Sequence, residues 1–121
     1  MSVRDCPQGS ILVLAGELNA VTSRDLFQVV IQQAPKTPRH IFFDFSQLRS
    51  ITAAGLRTLY KIFQMTRSDC KLIFCATRNT AADLSLTKVG FPNIVTFHES
   101  LASAQSEIEV QDQVHKDSEM K

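Results

Sequence analysis

The most constraining feature of this chain is an alternation: short, unbroken apolar runs take turns with longer segments of helical periodicity. Ile11-Leu12-Val13-Leu14-Ala15, bounded by Gly9-Ser10 and by Gly16, is too short for a helix and apolar at successive positions. It reads as a strand covered on both faces. Ile41-Phe42-Phe43-Asp44-Phe45, Leu72 to Ala76 and Ile94 to Phe97 repeat the pattern. Between them lie amphipathic segments. After a cap at Thr22 or Ser23, with Asp25 in the first turn, Phe27, Val30, Ile31 and Ala34 recur at helical spacing, widened by Leu26 and Val29, until Pro35 and Pro38 stop the helix. From about Ala53 to Arg67, Leu56, Leu59, Tyr60 and Phe63 form one stripe and Arg57, Lys61, Gln64 and Arg67 the opposite one. Asn79 is expected to cap a helix carrying Leu84 and Val89, ended by Gly90 in a left-handed C-cap with Pro92 beyond. Ser100 is expected to cap a last helix through Leu101, Ala104 and Ile108.

Strands alternating with helices through short connections predict an α/β fold. The expected sheet is mainly parallel, with four to five strands and four helices, a weak first strand near Val3 turning at Pro7-Gln8-Gly9 to give a mixed edge. One domain is expected over residues 1–110. The polar segment from Gln111 to Lys121 is expected to be a flexible tail. With 121 residues, the chain is long enough for one core and short for two.

Charge narrows the function classes. Thirteen Lys and Arg against twelve Asp and Glu leave +1, without the basic excess that marks a nucleic-acid or anionic-membrane surface. No apolar run approaches the ~18 residues of a membrane span. The first residues, MSVRDCPQGS, have no apolar stretch ahead of a small-residue cleavage site, so no secretory leader is expected. The three cysteines have no framework spacing, which favours a reduced, cytoplasmic compartment. Cys70 and Cys75 flank a strand at odd separation and are expected on opposite faces, as buried or semi-exposed thiols and not as a metal pair.

Catalytic patterns are missing. The four glycines are dispersed and form neither nucleotide-binding fingerprint, and no H-E-x-x-H, G-x-S-x-G or C-x-x-C occurs. His40, His98 and His115 share no element and read as strand-end or surface residues. No enzyme activity, cofactor or metal is expected. Asp44, alone in an apolar strand, is expected near the strand's carboxyl end, accepting bonds from loop amides, or else forming part of a docking or phosphate-handling surface. The segment Arg49-Ser50-Ile51-Thr52-Ala53-Ala54-Gly55-Leu56 leads into the cleanest amphipathic helix, with Ser50 or Thr52 as its cap. Unpaired amides and the helix macrodipole make such a point tolerant of a phosphate, although on these residues alone an ordinary capped helix is the commoner explanation.

In order and spacing, these segments resemble the STAS domain, the family of the anti-sigma factor antagonists. Gly16-Glu17-Leu18-Asn19 is similar to the family's G-E-L-D turn, Ile41-Phe42-Phe43-Asp44-Phe45-Ser46 to its apolar strand ending in Asp-Leu-Ser, and Ile51-Thr52-Ala53-Ala54-Gly55-Leu56-Arg57 to its S-S-A-G-L-R segment. The resemblance spans Ile11 to Ile108 and implies a regulatory binding module. An unphosphorylated antagonist in this family binds an anti-sigma factor that is also a serine kinase of the histidine-kinase-like ATPase fold, and so frees an output protein. Phosphorylation two residues before the motif glycine breaks that complex, and a PP2C-type phosphatase restores it. The implied contact residues are Glu17, Asn19, Thr52, Ala53, Ala54, Gly55, Leu56 and Arg57. The sequence departs from the family at the acceptor itself, where Ala53 has no hydroxyl, and Asn19 replaces the turn's aspartate. A natural loss of the switch and an engineered Ser→Ala change are both compatible with this, and Thr52 is the fallback acceptor. The alternative is a STAS-type scaffold or an accessory subunit, for example of a transporter ATPase, indifferent to phosphorylation.

Overall fold

The computed structural model describes residues 2–33, 40–66 and 70–108. Strands β1 (Ser2–Cys6), β2 (Gly9–Leu18), β3 (His40–Ile51), β4 (Lys71–Cys75) and β5 (Thr96–His98) form one sheet in the order β1-β2-β3-β4-β5. β1 runs antiparallel to β2, and every other pairing is parallel. Helices α1 (Ala20–Gln33), α2 (Ala53–Met65) and α3 (Ala81–Lys88) make the crossovers. A 3-10 turn, Phe91–Asn93, precedes β5, and α4, residues 101–108, follows it.

This order explains the layering. The parallel strands follow one another without reversal, and crossovers share one hand, so α1, α2 and α3 fall on the same face. Their core contains Leu26 and Val30 of α1, Leu59 and Ile62 of α2, Ala82 and Leu86 of α3, and Leu12, Phe43, Phe45 and Phe74 of the sheet. α4 covers the other face, where Ala104 and Ile108 pack with Ile11, Phe42, Ile73 and Cys75. The expected α/β architecture is therefore present. Among the described strands, a monotonic order also leaves no topological switch point, the crevice in which open α/β sheets usually hold ligands.

Several boundaries differ from the sequence expectations. β3 does not end at Phe45 but runs to Ile51, because it carries one extra residue against β2 between Asp44 and Gln47 and another between Leu48 and Ser50. Each bulge shifts the alternation by one, so Phe45, Leu48 and Ile51, three apart, all reach the α1–α3 core. That spacing disguises a strand as a loop. Asp44 consequently lies inside β3, opposite the last residue of β4, and its Oδ1 accepts the Ser46 amide at 3.0 Å. Burial, with the Asp44 charge nearby, pushes the Cys75 thiol up to about 12. Cys70 packs against the α1–α3 core and Cys75 within the α4 cluster, on opposite faces as expected.

The helices are rotated and recapped relative to expectation. α1 starts at Ala20, capped by Asn19 and not by Thr22 or Ser23, which lie in its first turns. α3 is capped by Thr80, while Asn79 takes a left-handed conformation and its amide donates to Asp83. Ile31, Tyr60, Leu84 and Val89, expected on buried stripes, are exposed, and Ser23, Ile62, Ala82 and Leu86 are buried instead. Apolar arcs wider than the contact line leave part of each helix outside. β5 is shorter than expected and Ile94 lies outside it, exposed. The left-handed Gly90, the α2 cap at Thr52 and the Ser100 cap of α4 are as expected. Ala34, Pro35, Pro38, Arg67, His115 and the expected tail beyond residue 110 lie outside the described residues.

Candidate functional site

β2 and β3 both extend beyond β4, whose last paired residue is Cys75 opposite Asp44, and their carboxyl ends pair as far as Leu18 and Ile51. This projecting two-stranded edge carries the Gly16–Asn19 turn and the start of α2 side by side. Glu17 stands opposite Ser50 across the ladder, and Ser50 Oγ donates to Glu17 Oε2 at 3.0 Å. Asn19 Nδ2 donates to Glu17 Oε1 at 3.2 Å. These two bonds, aided by the Arg49 charge against a small desolvation cost, hold the Glu17 carboxyl below its usual value. Glu17 is thus an exposed, ionised carboxylate fixed from both sides.

Asn19 has a second task. Its Oδ1 accepts the amides of Val21 and Thr22, both at 3.0 Å, and its own amide donates to Thr22 Oγ1 at 2.8 Å. The arrangement is a capping box in which Asn and Thr fill the roles of the usual Ser/Thr and Glu. Thr22 Oγ1 also donates back to the Glu17 carbonyl at 2.8 Å. An Asn at this position therefore keeps the turn rigid without the aspartate found in the family motif.

The head of α2 is built by close approach. Thr52 N donates to the Leu18 carbonyl at 2.9 Å, and Thr52 Oγ1 does so at 3.2 Å. The same hydroxyl accepts the Gly55 amide at 3.3 Å, so it caps the helix while tying it to β2. Gly55 is buried against that tie: a Cβ there would lie 2.5 Å from the Leu18 carbonyl oxygen. Only a residue without a side chain allows this contact. The first intrahelical bond is Leu56 N to Thr52 O at 3.0 Å, so the amides of Ala53 and Ala54 precede the helical ladder.

Ala53 occupies the first helical position and is exposed. Arg57, one turn on and also exposed, donates from Nε to the Ala53 carbonyl at 3.4 Å. Ala54 and Leu56 are half-buried beside it. The eight residues singled out by sequence thus gather at one edge, in two layers. Glu17, Ala53 and Arg57 face solvent, whereas Asn19, Thr52 and Gly55 hold the backbone in place. Sequence reasoning missed Ser50 as the partner of Glu17, a pair 33 residues apart that only strand register reveals.

Elsewhere, His40 Nδ1 donates to the Gln8 carbonyl at 3.0 Å, fixing the β1–β2 turn, and His98 Nε2 lies 3.5 Å from Glu107. Both are strand-end histidines. Among the described residues, no three side chains converge as metal ligands, and no helix is long and apolar enough to cross a membrane.

A family model described as the STAS domain matches residues 3–104. Among solved structures, an anti-sigma factor antagonist from Mycobacterium paratuberculosis is similar with a TM-score of 0.76 and 17% identity, over 89% of this chain and 92% of that one. A protein provisionally named an anti-sigma factor antagonist, from Thermotoga maritima, is similar with a TM-score of 0.77 and 18% identity, over 89% and 93% of the two chains. At these identities the likeness is one of fold. No curated protein matches the chain.

Proposed function

The chain belongs to the STAS domain family, and from that premise we propose that it acts as an anti-sigma factor antagonist-like regulatory module rather than as a catalyst. It docks on an anti-sigma factor that is a serine kinase of the histidine-kinase-like ATPase fold, in the cytoplasm, through the edge formed by Glu17, Asn19 and residues 52–57. The observation that carries this reading is Ala53. It stands exposed at the first position of a rigidly anchored helix, with Gly55, Leu56 and Arg57 of the motif beside it and no oxygen to esterify. A phosphate there would add about −1.5 to −2 charges to the docking surface. A methyl group cannot, so the module stays in its binding-competent form and a PP2C-type phosphatase has nothing to reverse.

Thr52 makes a poor substitute acceptor, because its hydroxyl already donates to Leu18 and accepts from Gly55. Phosphorylation would have to break the helix cap first. In this reading Glu17 and Arg57 supply charge to the interface, Ala54 and Leu56 supply contact area, and Asn19, Thr52 and Gly55 keep the surface in shape.

The test mixes the protein and its Ala53→Ser variant with ATPase-fold kinases encoded near its gene, with ATP, and reads intact mass and complex formation. The expected result is a stable, unmodified complex for the protein and one phosphate, with release, for the variant. Stoichiometric phosphorylation of the unsubstituted protein with loss of binding would overturn the locked-state reading. Stable association with a transporter ATPase, unaffected by ATP-dependent phosphorylation, would replace it with the accessory-subunit role.

A further inference from the structure

A groove of about 280 Å³ opens between α1 and α2, lined by Ser23, Arg24, Phe27 and Gln28 from one helix and Thr58 and Lys61 from the other. Its rim is cationic. Arg24 and Lys61 are exposed, and neither forms an ion pair among the described residues. α2 carries no carboxylate at all, and α1 carries one, Asp25. Lys61 Nζ stands 5.0 Å over the Phe27 ring, which keeps the ammonium above the groove.

Inside the groove is a second, independent observation. Ser23 is only 2% exposed, and its hydroxyl has no hydrogen-bond partner. Buried hydroxyls are nearly always paired. A serine within a helix commonly turns its hydroxyl back to the carbonyl four residues earlier. Here the Asn19 carbonyl takes the Ser23 amide at 2.8 Å, and the hydroxyl makes no such bond. The lining therefore offers an ammonium, a guanidinium, a side-chain amide and an idle hydroxyl, with no anion to receive them.

We infer that this groove is a carboxylate subsite, taking an aspartate or glutamate side chain of the protein that docks on the head of α2. The groove starts next to the docking edge, since Thr58 of its lining lies one turn along α2 from Ala54, on the same helix face. The partner's identity rests on the docking reading above, whereas the chemistry of the groove does not. An acidic side chain would neutralise the Arg24 and Lys61 pair and give the Ser23 hydroxyl an acceptor.

The test titrates the isotope-labelled protein with a capped pentapeptide carrying two glutamates, and with its glutamine counterpart at matched ionic strength, reading backbone amide shifts. Saturable shifts at Arg24, Gln28, Thr58 and Lys61 are expected for the glutamate peptide alone. Lys61→Gln, a surface change, and Ser23→Ala, which removes a single buried oxygen, should each weaken that binding about threefold or more. Equal responses to both peptides, shifts confined to residues 52–57, or an equal response to inorganic phosphate would each overturn the inference. Because no cognate partner is needed, this failure is separate from a failure of the Ala53 experiment.

Discussion

Gly55 offers the sharpest quantitative test of how the candidate site is held. In Gly55→Ala, the new Cβ would stand 2.5 Å from the Leu18 carbonyl oxygen, 3.0 Å from Ile51 Cγ2 and 3.1 Å from Leu18 Cγ. Ordinary contact begins at 3.4 Å, so the first turn of α2 must retreat by about 1 Å. The carbonyl cannot yield instead, because Leu18 is paired with Ile51 in the sheet and accepts two bonds from Thr52. Overpacking of this kind costs about 1–3 kcal/mol, and stretching the Thr52 bonds costs roughly 1 kcal/mol more. Replacing a helical glycine by alanine returns about 1 kcal/mol. The net expectation is destabilisation by about 1–3 kcal/mol, a fall of roughly 4–12 °C in Tm for a domain of this size. Urea unfolding followed by circular dichroism should show a lower midpoint at unchanged slope. Gly16→Ala is the control: φ there is +77° with nothing within 4 Å of the added Cβ, so it should cost about 1 kcal/mol from backbone conformation alone. If Gly55→Ala proved as stable as the parent, helix propensity would outweigh the contact, and the rigid tie between β2 and α2 would be refuted.

Thr52→Ala should lose about 1 kcal/mol of stability in the same unfolding assay, with Thr52→Ser close to neutral, because the hydroxyl both caps α2 and bonds Leu18. Ala53→Asp should separate stability from binding. A carboxylate at the first helical position gains about 0.3–1 kcal/mol from the macrodipole, so melting should hold or rise while partner affinity falls in a direct titration. The Glu17 carboxyl, held low by Asn19 and Ser50, contributes stability that is fully present above the ordinary glutamate value of 4.5 and is lost as pH falls through its folded value. The stability difference between the protein and Glu17→Gln should therefore shrink on acidification below that point. A difference that grows instead would reverse the assigned sign.

Local chemistry in the sequence was enough for the alternation of strands and helices, the amphipathic α2 and the left-handed Gly90, since each depends on near neighbours. The helix caps were harder, because Asn19, Thr22, Asn79 and Thr80 all have capping side chains, and the choice among them follows from where the preceding strand releases the chain. The gathering of Glu17, Asn19 and residues 52–57 was foreseen only through their likeness to a family motif.

What the order of residues determined unaided was the kind of layer this chain builds, because unbroken apolar runs and a 3.6-residue periodicity are each written into short stretches. Tertiary structure alone decided three things. Two bulges turned Phe45, Leu48 and Ile51 onto one face and made a strand of an expected loop. Packing selected Ile62 over Tyr60, and Leu86 over Leu84, as buried side chains. Strand register set Glu17 against Ser50 and placed Gly55 beneath the Leu18 carbonyl. Each is a relation between segments distant along the chain, and such relations exist only once the segments have met.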